Sequence, residues 1–374
     1  MPETEYRLFF NNTAASQELL ETIGEVTVEQ EVDMAWEARL QIPLTVDARG
    51  NWQGGAEDYM QPFSRLRVEV KVGDEPFVPL FDGPITGFDS QMNSEPGQST
   101  LTLIAQDDTF FMNRMEQVSA FENRLDHEVA QQIFTDFRDF ISNTRVETTP
   151  ASGSALAPLV VQRGTAMDIL RVLAKRQGMH VYVLPGENPG QSIGCFKAFP
   201  ISPDGLPPLI LLGAQRNIDS LQVRYCACKP ADTTAATLKI TDKQVVTETS
   251  RSSDVEMMGD EQEEGSLQPA LQLLPPQQGE SIDLRQAVFA RAAAASYAYQ
   301  VSGHIMEETY AAVLQPYQVV TVQAGNTPVS GDYLIAKATH KITRANYSQS
   351  FELKRNARSS RFSAGGVNVP GGIF

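Results

Sequence analysis

The side chains that do chemistry are few in this chain of 374 residues. His304 stands three and four positions before Glu307 and Glu308, in the string HIMEE. A zinc hydrolase needs HExxH, two imidazoles one helical turn apart with the base between them. Here the order is reversed and the second imidazole is missing. Asp107 and Asp108 are adjacent acids. Glycoside hydrolysis needs two carboxyls facing each other across a cleft of set width, so this pair reads as a strand-end cap or turn. Cys195, Cys226 and Cys228 are the only cysteines. Cys226-x-Cys228 is not zinc spacing, and it reads as two small residues pointing the same way from a strand. Asp254, Glu256, Asp260, Glu261, Glu263 and Glu264 crowd one segment, without the DxDxDG order of a calcium loop. His340 has the side chain to titrate near neutral pH, though a wall histidine bonded to a neighbour is the better description. Nucleophile-elbow, Walker and dinucleotide-binding glycine patterns do not occur. None of these groups is expected to act as a catalytic, cofactor-binding or metal-binding residue, and no cofactor is expected.

The elements around these residues are mostly strands. Tyr6–Phe10, Ile23–Glu29 and Ala35–Ile42 alternate, with Trp36, Ala38, Leu40 and Ile42 assigned to the core. Residues 47–61 form a Gly/Asp-rich loop. Arg65–Val72 (RLRVEVKV) reads as a half-buried strand, its Arg, Glu and Lys outward. Leu80–Asp89 and Ser99–Gln106 follow, with Gly83 and Gly87 available for bulges or close backbone approach. Residues 1–110 therefore read as one antiparallel barrel or sandwich. A helix is expected over Asp126–Ile141, capped by Asp126 and burying Val129, Ile133, Phe134, Phe137, Phe140 and Ile141. A Ser/Thr/Gly/Pro/Ala linker spans residues 148–158. Thr165–Gln177 is a second helix, boxed by Thr165 and Asp168, stopped by Gly178, and burying Ala166, Ile169, Leu170, Leu173 and Ala174. His180–Leu184 is a strand. Arg216–Val223 and Ala236–Val246 open a second β region. The stretch 251–278 has no Lys or Arg between Ser252 and Leu284 and reads as a mobile acidic loop. An Ala-rich helix covers Leu284–Gln300. Tyr317–Gln323, Asp332–Thr343 and Tyr347–Arg355 are hairpin strands. In the middle one, Tyr333, Ile335, Lys337 and Thr339 share one face and Leu334, Ala336, Ala338 and His340 the other. Mixed faces suit a sheet with a wall on one side and water or a neighbour on the other. The end, 359–374, reads as an extended tail able to dock on another component.

The totals narrow the class. The chain carries 30 basic and 46 acidic residues, a net charge of −16. That opposes nucleic-acid recognition as a main role, because phosphate neutralisation needs clustered cations. The length implies two to four domains. Three cysteines fit a reducing compartment rather than a disulfide framework. The opening MPETEYRLFF lacks a basic n-region, and no apolar run reaches membrane-spanning length, so neither a secretory signal nor a membrane-spanning segment is expected.

The closing segment carries a resemblance. Pro316, Val320, Val322, Gly331, Tyr333, Ile335, Lys337, His340, Ile342, Tyr347, Phe351, Glu352, Leu353, Arg355 and Asn356 match closing strands of phage baseplate hub proteins. These form the late control D family, similar to the N-terminal half of type VI secretion VgrG spikes. Phe81, Gly83, Ile85 to Asp89 and Ser99, Leu101 to Leu103, Ala105 and Asp107 resemble the family's first tube-like domain. The pattern G-T-A-x-D-I-L-R-x-L-A-x-R-x-G-x-x-V-Y-V, from Gly164 to Val183, resembles its middle domain.

The resemblance implies a mainly β fold with an α+β middle domain and two tube-like antiparallel β-barrel domains per chain, the second discontinuous. The implied domains are 1–110, the first barrel; 111–204, the middle domain; and 205–250 with 301–358, the second barrel. Residues 251–300 are an acidic insert plus the Ala-rich helix, and 359–374 the flexible tail. The implied role is structural, not enzymatic: a homotrimeric ring with pseudo-six-fold symmetry, joining a hexameric inner tube to a trimeric spike in a virion or injection-system baseplate assembled in the host cytoplasm. Implied partners are a separate spike protein, tube initiator subunits, baseplate wedge proteins and a tape measure protein in the lumen. The spike is expected to be separate because no oligosaccharide-binding domain or β-helix repeat follows the closing strands. Two other classes compete: a tail-associated cell-wall hydrolase or carbohydrate-binding protein, and a tube or terminator subunit with one barrel per chain.

Overall fold

The computed structural model describes residues 4–47, 49–50, 52–53, 61–95, 97–150, 159–203, 205–239, 243–262, 264–275, 283–306 and 309–359. The expected loop 47–61, linker 148–158 and tail 359–374 lie largely outside the described residues, as do Glu263, Glu307 and Glu308.

The N-terminal part contributes β1 (Thr4–Phe10), β2 (Glu25–Glu31), β3 (Glu37–Pro43), β4 (Arg65–Val72), β5 (Val78–Gln91) and β6 (Thr100–Gln106). Strand β5 bends between two partners: Val78–Pro84 pairs with β4, and Ile85–Gln91 with β6. Gly83 sits at the bend, where a Cβ would lie 2.0 Å from the Gln106 carbonyl oxygen. Any side chain there would drive two backbones apart. Gly87 has open space around its Cβ position and follows a bulge instead. The bend lays β1 and β4 over β3 and β6. Leu8, Leu66, Val68 and Val70 then pack in one core with Trp36, Ala38, Leu40, Ile42, Leu101 and Leu103. The predicted core face of β3 is thus the buried one.

The middle part contributes β7 (Gln117–Glu122), α1 (Asp126–Asp136), β8 (Ile141–Val146), β9 (Leu159–Gly164), α2 (Ala166–Gln177), β10 (His180–Pro185) and β11 (Ser192–Lys197). Strands β8, β11 and β10 form a mixed sheet, β8 parallel to β11. Helix α2 has the predicted ends: Thr165 and Asp168 cap it reciprocally, and Gly178 closes it at φ 70°. Helix α1 is shorter than expected. It stops at Asp136, and Phe137, Phe140 and Ile141 lie in the turn and strand that follow. Asp126 is its first helical residue and not its cap; Leu125 holds that position, with its N–H donating to Glu128. Asp126 instead accepts from Arg176 and Gln177 and ties α1 to α2.

The C-terminal part contributes β12 (Leu209–Ile210), β13 (Ile218–Tyr225), β14 (Ala231–Lys239), β15 (Gln244–Ser250), β16 (Ala270–Leu273), α3 (Leu284–Ala295), β17 (Tyr299–Ile305), β18 (Val319–Gln323), β19 (Gly331–Thr343) and β20 (Tyr347–Arg355). The expected strand Ala236–Val246 is instead split between β14 and β15, which with β16 form a sheet of their own. The Ala-rich helix ends at Ala295 and yields to β17, a β-branched and aromatic stretch suited to pairing.

The principal sheet has 13 strands. Its main path runs β13-β17-β20-β19-β2-β3-β6-β5-β4-β1, and β18 flanks the first part of β19. Within it the same five-strand unit occurs twice. Unit A has the order β2-β3-β6-β5-β4 and unit B the order β13-β17-β20-β19-β18. In both, a three-strand meander with a long, bulged middle strand is followed outward by two further antiparallel strands. The bulges fall at matching places, between Ile85 and Gly87 and between Ile335 and Lys337. Neither unit closes on itself among the described residues. Strand β2 pairs with β19 of unit B, not with its own unit's far strand, so two separate barrels are replaced by joined, open wall segments.

The bulge also overturns the expected faces of the middle C-terminal strand. One extra residue, Ala336, reverses the alternation. Tyr333 and Ile335 therefore share the buried face with Ala338, His340 and Ile342, while Lys337, Thr339 and Lys341 take the wet one.

Candidate functional site: wall junctions and strand edges

The groups singled out for chemistry are occupied with structure. Asp107 is buried; its carboxylate accepts from the Trp36 N–H at 2.7 Å and from the N–H and hydroxyl of Thr109. Desolvation pushes its pKa up to about 6 against those bonds. Asp108 accepts a bidentate pair from Arg65 at 3.0 and 2.6 Å and the Ser192 hydroxyl at 2.7 Å. The two acids do not face one another across a cleft. His340 is fully buried, between the Tyr347 hydroxyl at 2.9 Å and Gln30 Oε1 at 3.3 Å. Burial lowers its pKa to about 3, so it stays neutral near pH 7 and is the neighbour-bonded wall histidine rather than a titrating one. Cys226 and Cys228 lie in the turn after β13, not on a strand, with sulfurs 2.8 Å apart. His304 lines a shallow polar hollow with Ser302, Lys337 and Glu352. Among the described residues no cluster of His, Cys, Asp or Glu is placed to hold a metal.

A charge cluster joins the N-terminal part to the middle part of the chain. Arg67 is 1% exposed, so β4 is buried on both faces and not half-buried as its pattern implied. Its guanidinium donates to Glu69 at 2.7 Å, to Asp82 at 3.0 Å and to the carbonyls of Glu187 and Asn188. Arg65 bridges Asp82 and Asp108, and the Gly190 N–H donates to Asp82 at 2.9 Å. Burial works against the Arg65 charge, but Asp108 and then Asp82 outweigh it and raise its pKa. Every formal charge here has a partner, which is the condition for holding charges inside protein. Sequence reasoning missed it because the covering carbonyls come from residues more than one hundred positions away.

A second cluster gathers all three parts of the chain. Asp33, in the β2–β3 turn, holds His180 Nδ1 at 2.7 Å, and its N–H donates to the Tyr317 hydroxyl at 2.9 Å. His180 stacks on Phe199 at 3.5 Å, and Tyr182 on Tyr317 at 3.5 Å. Lys354 lies over Phe199 and Tyr297, and desolvation lowers its pKa to about 8. An Asp–His pair beside a partly neutralised lysine could move a proton. Rings cover both the imidazole and the ammonium, so the arrangement serves as a clamp between parts.

The described stretch of the acidic insert is also fastened. Arg355 donates to the carbonyls of Met258 and Ser330, and Asn356 bonds the backbone of Met258 and Glu256. Arg358 pairs with Glu261 at 3.0 Å. This corrects the reading of a mobile loop for those residues.

The junction β2–β19 is the feature that makes the wall continuous. Its buried face sets Val26, Val28 and Gln30 against Ile342, His340 and Ala338. Its wet face sets acids of β2 against lysines of β19: Lys337 lies 3.2 Å from Glu29 and 3.6 Å from Glu31, and Lys341 2.9 Å from Glu25. Such a seam is an interface in character, apolar within and charge-complementary at the rim. The outer edge of β13 meets no strand among the described residues, nor does β5 beyond Ile85 on the side of β4.

No family model matches the sequence, and no curated protein matches it. Solved structures do match along nearly the full chain. The 43 kDa tail protein of prophage MuSo2 from Shewanella oneidensis gives a TM-score of 0.63 at 12% identity, covering 95% of this chain and 99% of that one. A tail protein from Neisseria meningitidis gives 0.59 at 12% identity, covering 94% and 96%. A component of the type VI secretion system of E. coli, described as structurally similar to T4 bacteriophage tail proteins, gives 0.52 at 10% identity, covering 94% and 76%. At these identities the likeness is one of fold. This chain has the mainly β fold seen in phage tail proteins and in that type VI secretion component.

Proposed function

We propose that the chain is a structural hub of a contractile tail baseplate, in a phage or a phage-derived injection system. Three copies would form a ring of six wall segments, joining a six-fold inner tube to a three-fold spike. The observation that carries this is the repeated five-strand unit, A and B joined edge to edge through β2 and β19 in one chain. A chain with two like units matches six-fold to three-fold symmetry with one gene product.

In this reading residues 1–110 supply one wall segment, β13 with β17 to β20 supply the other, and 111–204 buttresses the first. The long sheet's wet face, with Thr27, Glu29, Gln41, Thr102, Lys337 and Thr339, lines a lumen. A separate spike protein, tube initiator subunits, wedge proteins and a tape measure protein are the partners this assembly requires. No helix among the described residues is long and apolar enough to cross a membrane. The role is mechanical: Asp107 and Asp108, the acids a hydrolase reading would use, are spent on capping and ion pairing. Mass in solution tests the reading, with a species near three times 41.1 kDa expected. A stable monomer that clears peptidoglycan favours a cell-wall hydrolase, and a hexamer favours a tube or terminator subunit.

A further inference from the structure

The two open strand edges have matching chemistry. We infer that β13 of one copy pairs antiparallel with the second half of β5 in a neighbouring copy, repeating between chains the junction that β2 and β19 make within one. This rests on the ring reading above and assigns its contact residues.

The register follows from the repeat itself. Aligning the units on their bulges places Ile85 on Ile335 and Gly87 on Lys337. Following the ladders outward places Ala38 on Val301 and Val28 on Val223. The internal junction pairs His340 with Val28 and Thr339 with Glu29. Carried across, Ser90 meets Val223 and Asp89 meets Arg224.

The side chains at these positions fit a seam. On the face equivalent to the buried side of β2–β19 stand Phe88 of β5 and Met92 just past its end, each 61% exposed, and Val223 of β13, 37% exposed. Leu221 and the ring of Tyr225 lie on the same face of β13. Apolar side chains exposed along an unpaired strand edge are a liability unless another strand covers them. On the opposite face, Asp89 and Arg224 meet at the positions of Thr339 and Glu29, a rim that the internal junction closes with Lys337 reaching diagonally to Glu29. The polarity is reversed, but the complementarity is kept. An edge of one shape meeting a different edge on the next copy is a head-to-tail contact, which gives a closed ring when the rotation closes.

Cysteine trapping tests the register. Ser90→Cys and Val223→Cys are combined in a chain also carrying Cys226→Ser and Cys228→Ser; Cys195 is buried and stays. Mild oxidation should give a covalent ladder that ends at the ring's copy number. Mixing the two single-cysteine chains should give covalent dimers only. A ring seen by mass with no covalent ladder overturns the edge assignment and leaves the ring reading intact. A chain that stays monomeric and uncrosslinked at its highest soluble concentration contradicts both. Phe88→Glu is the second arm. Because Phe88 is exposed, its folded chain should keep the parent's Tm yet lose the ring. A ring that persists in that variant also overturns the assignment.

Discussion

At the residue scale, two buried groups work against each other as pH changes. His340 drops from 6.5 to about 3 on folding. Between those values the unfolded chain holds more protons, so His340 removes stability as pH falls, by at most about 1.4 kcal/mol per pH unit. Asp107 rises from 3.8 to about 6. Its contribution is complete below the lower value and is lost as pH rises through the upper one. Replacing His340 by Gln should leave only the second slope. Urea unfolding at pH 6.5 and pH 5 should show the variant gaining on the parent at the lower pH; an equal gap at both would mean His340 is not held neutral. Arg67 tests the charge cluster. Arg67→Met strips Asp82 and Glu69 of a buried partner and should cost about 3–5 kcal/mol in unfolding free energy. A loss under about 1 kcal/mol, the level of an exposed ion pair, would place those carboxylates in water.

Elements were legible where their partners are local. Strand β4 and both ends of α2 stand where the pattern puts them, because alternation, a capping box and a terminal glycine are written in neighbouring residues. What was not legible depends on distant chain. The charged face of β4 reads as solvent-facing until residues 187–190 are laid over it. The face swap in β19 hides in one residue, Ala336, that fits either alternation. The Asp33–His180–Tyr317 clamp draws on three parts of the chain, and no spacing announces it. The sites built from distant parts of the chain were thus invisible, while Gly83 was recognisable as a close-approach glycine. Gly83→Ala puts a methyl into the Gln106 carbonyl and should cost about 1–3 kcal/mol or more, read as a lowered Tm. A variant as stable as the parent would show that the β5 bend can open freely. Gly87→Ala meets no neighbouring atom and should move Tm much less.

At the scale of the whole molecule, the account turns on how many wall segments each chain supplies. Units A and B share a strand order, a bulge position and an edge-to-edge seam, and both ends of the wall stay open among the described residues. An averaged image of an assembled tail, cut across the layer that holds this chain, measures that number. The account predicts three chains and six wall segments around the axis, A alternating with B, with β13 of each chain lying against β5 of the next. Six chains in that layer, or three chains whose A and B units lie at unequal distances from the axis, would contradict it.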